Sequence, residues 1–174
     1  MSSLRIVAEL MEMAARTAPK ARGDDFVVTR IIEGDDIKAL AEKTAEVGER
    51  IQRKFFVRDS KNVAASDVVV AIGLKDAEQA DLDCGGCGVA ACSELVVNSH
   101  EGEFSGPQCA FRLVDLGIAL GSAVKTASSL NADNRMMYSA GVAARELGLI
   151  DADFVVCIPL SATGKSIYFD RPAQ

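Results

Sequence analysis

Apolar positions recur along the chain at two different spacings. From Leu4 they return at Val7, Ala8, Met11, Ala14, Ala15 and Ala18, a three-and-four spacing that predicts a helix with one buried stripe. Ser2 or Ser3 can cap its start, and Pro19 lies beyond its end. A second stripe, Ile37, Leu40, Ala41, Val47 and Ile51, follows the acidic pair Asp35–Asp36, whose charges suit a helix N-terminus. Between the two, Phe26 to Ile32 reads as a strand, and the β-branched run "DVVVAIG" after the second helix reads as a buried one. Residues 110–130 are apolar nearly all round, which predicts a helix lying in the core, with Gly117 and Gly121 leaving one face smooth enough for helix–helix contact. "NRMMYSAGVAARELG" predicts a further helix with Met136, Ala140, Ala143, Ala144 and Leu147 inward and Gly148 at C′. "DFVVCIP" predicts a last buried strand, ended by Pro159. No repeat or linker interrupts this order, so the expectation is one α+β domain over residues 1–174, with an irregular segment at 82–110.

Composition narrows the function classes. A chain of 174 residues, 49% hydrophobic and 25% charged, has the make-up of a folded domain with a sizeable core. A net charge of −6, no Trp and two Tyr argue against nucleic acid, which needs basic surface and stacking rings, and against an anionic membrane. Arg5, Glu9, Glu12 and Arg16 break up any signal-peptide core, and the most apolar stretch contains Asp115 and Lys125, so no membrane span is expected. The chain therefore reads as cytoplasmic, a compartment in which clustered thiols bind metal or do redox chemistry more often than they pair.

The irregular segment holds the chemistry. Cys84, Cys87 and Cys92 fall within nine residues in "DCGGCGVAACSEL", and Cys109 completes the spacing C-x2-C-x4-C-x16-C. Four thiolates satisfy one zinc ion or the irons of a cubane cluster. Zinc sites pair two short knuckles, whereas iron–sulfur loops bunch three cysteines and add a distant fourth, which is the pattern here. Glycines at 85, 86 and 88 let the backbone wrap and point N–H groups at sulfur, and Gly106–Pro107 shape a turn before Cys109. A zinc site, a redox-active C-x-x-C pair and plain structural thiols remain open beside the cluster. Cys157 alternates within an apolar strand and reads as a core cysteine.

These residues carry resemblances. "CGGCGVAAC" with Cys109 resembles the four-iron–four-sulfur domain of Rnf-type electron-transport subunits and corrinoid iron–sulfur proteins, where the loop reads CGxCGxxxC. Nearly the whole chain, through "FFVRDSKNVAASDVVVAIG", "VDLGIALGSAVKTA", "NADNRMMYSAGVAA" and "IPLSATGKSIYFDR", is similar to a family of ferredoxin-domain-containing proteins. That likeness implies a cluster-binding protein and supplies no reaction. The order of elements, with "AARTAPKARGDDF" after the first helix, is also similar to the nitroreductase-like flavoproteins. It implies a nitroreductase-like arrangement of helices around a small sheet, with the Cys-rich loop inserted before the central helix, and it implies an FMN cofactor. Lys20 stands where that family has serine, Gly23–Asp24 replaces an Asn-Gln region, and the N-terminal Arg-x-Ser phosphate clamp is absent. If an anion binds, Lys20, Arg22 and Lys165 are the candidate contacts; the alternative is that they are solvated surface cations.

Other motifs carry less. "ATGKS" lacks the first glycine of a phosphate-binding loop, because that position is Pro159. "GKSIYFDRP" reads instead as a C-terminal arm that packs on the domain or on a partner subunit. His100, the sole histidine, sits in a polar loop and reads as a surface residue. The expectation is one [4Fe-4S] cluster on Cys84, Cys87, Cys92 and Cys109, serving electron transfer to a partner protein or the redox step of a small-molecule reductase. A structural zinc protein and an FMN-dependent oxidoreductase with a relay cluster are the alternatives. A homodimer is expected from the apolar 110–130 helix.

Overall fold

In the computed structural model, which describes residues 3–169, the first apolar stripe forms α1 (Ser3–Thr17). Leu4, Val7, Ala8, Met11 and Ala15 are buried. Ser2 lies outside the described residues, and Ser3 is the first helical residue. The last carbonyls of α1 are met by a cation: Lys20 Nζ donates to the oxygens of Ala15, Arg16 and Ala18, at the negative end of the helix.

The chain continues through β1 (Val27–Ile32), α2 (Asp35–Arg50), α3 (Lys54–Ala64) and β2 (Val68–Leu74). The hydrophobic pattern does not announce α3. Its inward face carries Asp59 and Ser60 between Phe56 and Val63, so the apolar period is broken. Asp59 is tolerated there because Ser139 Oγ donates to its Oδ2 at 2.6 Å and Arg58 donates to its Oδ1. After the cysteine segment come β3 (His100–Glu101), β4 (Ser105–Gly106), α4 (Ala110–Ser129), β5 (Asp133–Asn134), α5 (Tyr138–Glu146) and β6 (Phe154–Ser161).

One antiparallel sheet, ordered β1-β2-β6-β5, forms the middle layer. β2 is buried along its whole length, and its side chains alternate between two cores. Val68, Val70, Ile72 and Leu74 meet α1 and α4, while Val69 and Ala71 meet α2, α3 and α5. α5 lies very close to β6. A Cβ on Gly141 would fall 2.7 Å from the carbonyl carbon of Val155 and closer still to its oxygen, so only glycine allows the approach.

Three expectations are corrected. β6 does not stop at Pro159 but runs two residues further, although it is an interior strand. Cys157 exchanges both backbone bonds with Met137, so the nitrogen of Pro159 points to the same side, where Arg135 and Met136 leave the ladder. In α5, Met137 rather than Met136 is buried, and Leu147 is partly exposed, because the bridge to Cys157 sets the rotation of the helix start. Finally, α4 is not enclosed on all sides. It buries Arg112 and Asp115 with Leu116, Ala119, Leu120, Ala123 and Ala127, and leaves Phe111, Leu113, Val114 and Ile118 at the surface.

The described part of the C-terminal arm packs on the domain. Tyr168 is buried and shares a hydrogen bond with Ser66 Oγ, and Arg135 donates to its carbonyl. The rest of that arm, from residue 170, lies outside the described residues. No described helix is long and apolar enough to cross a membrane.

Candidate metal centre

Three of the four clustered cysteines sit between β2 and α4, and the fourth, Cys109, is the N-cap of α4. All four are free thiols, as is Cys157. The segment turns repeatedly: Asp81, Asp83, Gly85 and Gly88 have φ of 49°, 46°, 68° and 94°. Aspartate tolerates the left-handed region better than most residues, and at Gly85 and Gly88 the turn has no Cβ to strain. Gly86 has an ordinary φ; a Cβ there would touch Cys84 Sγ and Ala110 Cβ at 3.5 Å each, so Gly86 lies between Cys84 and the first turn of α4.

Packing and hydrogen bonds tie three of these cysteines to their surroundings. Cys109 is buried with Ala80 and Leu95, and Cys87, Val89 and Val97 pack on this small apolar group. Cys92 and Asp83 bond reciprocally: the Asp83 N–H donates to Cys92 Sγ at 3.4 Å, and the Cys92 N–H donates to Asp83 Oδ1 at 2.7 Å. Gln79 Nε2 donates to the Leu95 carbonyl and closes the base of the run. Among the described residues, no three His, Cys, Asp or Glu side chains converge on a single point as they do around a bound metal. The donor set itself fits a metal or cluster: four unpaired sulfurs, an N–H on one of them, and an apolar lining.

The approach to Cys109 is fixed from the other side. Gln108 donates to Asn98 Oδ1 and to the Ser105 carbonyl, and Asn98 donates in turn to Asp153 Oδ2, which also accepts the Asp76 N–H. The Ser105 N–H donates to the Asp153 carbonyl. Cys109 therefore arrives at the positive end of a 20-residue helix, where negative charge on sulfur is favoured. Charge in the surrounding segment runs the other way. Residues 76–111 contain seven carboxylates and no Lys or Arg, so the net −6 of the chain is concentrated here. An added electron in this segment needs nearby N–H donors to offset that field.

The remaining candidates are dispersed. The Lys20 ammonium is buried and occupied by the α1 carbonyls. Arg22, in the adjacent turn, donates to the Ala80 carbonyl and pairs with Asp81 at 3.2 Å. Lys165 is exposed in the loop after β6, and no described contact joins it to the other two. His100 is exposed in β3. Cys157 is fully enclosed in β6, and burial pushes its thiol pKa far up, so it stays protonated. Sequence reasoning did not find Asp83 or the Asn98–Gln108–Asp153 chain. Their partners are nine to 55 positions away, so no local pattern marks them.

The arrangement of the sheet and helices is that of the nitroreductase-like proteins. A nitroreductase-like family protein from Bacillus cereus superposes with a TM-score of 0.58 at 10% identity, over 98% of this chain and 79% of that one. The FMN- and NADPH-dependent nitroreductase NfnB of sphigopyxis sp. strain HMH, in a mutant form, gives 0.59 at 11% identity over 97% and 83%. A BluB-like flavoprotein from Clostridium difficile 630 gives 0.55 at 14% identity over 100% and 85%. Within that fold, residues 105–171 match the family described as "Uncharacterized protein containing a ferredoxin domain (DUF2148)". An uncharacterized protein of Archaeoglobus fulgidus is 46% identical over 169 residues, 97% of this chain and 91% of that one. The chain belongs to this ferredoxin-domain family.

Proposed function

We propose that the chain carries one [4Fe-4S] cluster on Cys84, Cys87, Cys92 and Cys109 and acts as a cytoplasmic iron–sulfur redox protein. It passes electrons to a partner protein or serves as the redox centre of a small-molecule reductase. The observation that carries this reading is the placement of four free thiols on one tightly turned run and the helix start it packs against, in a chain of a ferredoxin-domain family. Such a cluster, when bound, accepts and returns one electron. The chain's own groups prepare the place for it. The Asp83 N–H faces one ligand sulfur, the α4 N-terminus favours charge on another, and Ala80, Val89, Leu95 and Val97 keep the lining apolar.

Anaerobic purification followed by a visible spectrum and assays of iron, sulfide and zinc tests the proposal. About four irons and four sulfides per chain are expected. Stoichiometric zinc without sulfide overturns the reading and supports a structural zinc site.

A flavin reading has one observation in its favour, the likeness of the fold to FMN-dependent enzymes. Lys20 and Arg22 are already engaged with protein groups, and Lys165 is exposed in the loop after β6, away from both. Weak or no FMN retention after desalting is therefore expected, and tight one-to-one binding promotes the reductase reading.

We infer further a homodimer built on α4. Phe111, Val114 and Ile118 are exposed along one face, and a Cβ added to Gly117 or Gly121 on that helix would meet no atom within 4 Å. Sedimentation equilibrium at micromolar concentration tests it, and a monomer counts against it.

A further inference from the structure

Among the described residues, Arg112 is the largest side chain that is fully buried, with 1% of its surface exposed. It stands one helical turn after Cys109, in the first turn of α4. Its Nε donates to the Glu78 carbonyl at 2.9 Å, Nη1 to the Ala21 carbonyl at 3.0 Å and to Asp115 Oδ2 at 3.3 Å, and Nη2 to Asp24 Oδ2 at 2.9 Å. The guanidinium lies 4.7 Å from the centre of the Phe26 ring. Asp115 Oδ1 accepts the Ala21 N–H at 2.7 Å. One cation thus joins three segments: the start of the helix that carries Cys109, the turn at 21–24, and the strand exit at Glu78 that leads into the cysteine run. The same turn is tied to that exit a second time, by Arg22 on Ala80 and Asp81.

A buried, fully bonded arginine adds little net stability over an apolar residue of similar volume, because its desolvation offsets its pairing. What it does supply is a fixed geometry, since the planar fork accepts partners only in set directions. The geometry fixed here is the spacing between the two stretches that bear the four thiols. We infer that Arg112 is a positioning residue for the metal centre: it holds Cys109 at the correct separation from the run bearing Cys84, Cys87 and Cys92, and its buried charge offsets negative charge there. This rests on the cluster reading given above. Asp115, buried beside Arg112, and the half-exposed Asp24 balance that charge in the native protein, so a variant that removes it leaves both carboxylates uncompensated, and that change in charge is what the potential reads.

The test uses anaerobically purified protein and the variants Arg112→Lys, Arg112→Met and Asp24→Asn. Three quantities are read: metal and sulfide content, the rate of iron release to a chelator, and the midpoint potential from a titration followed by electron paramagnetic resonance. Arg112→Lys keeps the charge and loses the fork; faster iron release, by about tenfold, is expected with a potential close to the wild type. Arg112→Met loses both, so release is faster and the potential moves to a more negative value, because reduction adds charge no longer offset. Asp24→Asn keeps an accepting oxygen but removes the charge of a half-exposed partner, which weakens its bond from Arg112, and a smaller acceleration in the same direction is expected. Wild-type release rates in both Arg112→Lys and Asp24→Asn overturn the inference, even if Arg112→Met fails to fold. So does an unchanged potential in a folded, loaded Arg112→Met. If the wild type loads zinc alone, the cluster reading falls by itself, and zinc release from the same variants decides the role of Arg112. Wild type without metal or sulfide overturns both.

Discussion

Gly141→Ala tests the close approach of α5 to β6. In an open helix interior this change stabilises by up to about 1 kcal/mol, because alanine is the better helix former. Here the added Cβ lies 2.7 Å from the Val155 carbonyl carbon, and an ordinary carbon–carbon contact is about 3.5 Å. α5 must therefore retreat from β6 by at least about 0.8 Å, and by more to clear the oxygen. The retreat loosens Ala140, Ala143 and Ala144, all fully buried against that strand, and strains the Met137–Cys157 bridge at the helix start. Overpacking of this kind costs about 3 kcal/mol at the upper end, and the propensity gain returns about 1, leaving a net loss of about 2 kcal/mol. For a chain of this size that is a fall of about 4–8 °C in melting temperature. Urea unfolding of the two proteins at equal metal content, followed by far-UV circular dichroism, measures it; a lower midpoint with an unchanged slope is expected. The obstructing atoms are backbone, so adding Val155→Ala to Gly141→Ala does not restore stability. A Gly141→Ala protein as stable as the wild type, or a clear rescue by Val155→Ala, refutes the reasoning.

Other outcomes follow from single contacts. Serine at Cys84, Cys87, Cys92 or Cys109 is expected to abolish cluster loading, whereas Cys157→Ala keeps it, as read by iron and sulfide per chain. Lys20→Met leaves the α1 carbonyls without their donor and is expected to destabilise by about 1–2 kcal/mol in urea unfolding, with no change in metal content. The bond from Arg50 holds the Glu146 carboxyl below its ordinary value, with burial opposing, and Lys43 adds to the effect. A depressed carboxylate contributes stability that is complete above its unfolded value of about 4.3 and lost as pH falls through the lower folded value. Glu146→Gln should therefore be less stable than the wild type at pH 7 and approach it near pH 3; a constant difference across that range counts against the pairing. Ile118→Asp places a charge on the open face of α4 and is expected to yield a monomer in sedimentation if that face forms the dimer.

Local pattern alone settled most of the elements. The three-and-four stripes of α1 and α2, the β-branched run of β2 and the alternation of β6 each follow from which positions must leave water, and that requirement is written in residue spacing. The proposed four-thiolate site rests on the cysteine spacing, which belongs to the sequence; among the described residues the fold does not bring three of these side chains to one point. Tertiary structure decided the rest. α3 was hidden because its inward Asp59 is acceptable only beside Ser139, 80 positions away. α4 looked like a core helix on apolar content, yet the residues it buries include Arg112 and Asp115 while Phe111 and Ile118 face outward. That inversion has a physical cause: a charged pair can be enclosed when backbone carbonyls from a distant turn and a strand exit complete its bonds. Those carbonyls belong to Ala21 and Glu78, and no period in the sequence brings them to the start of α4; only the folded chain does.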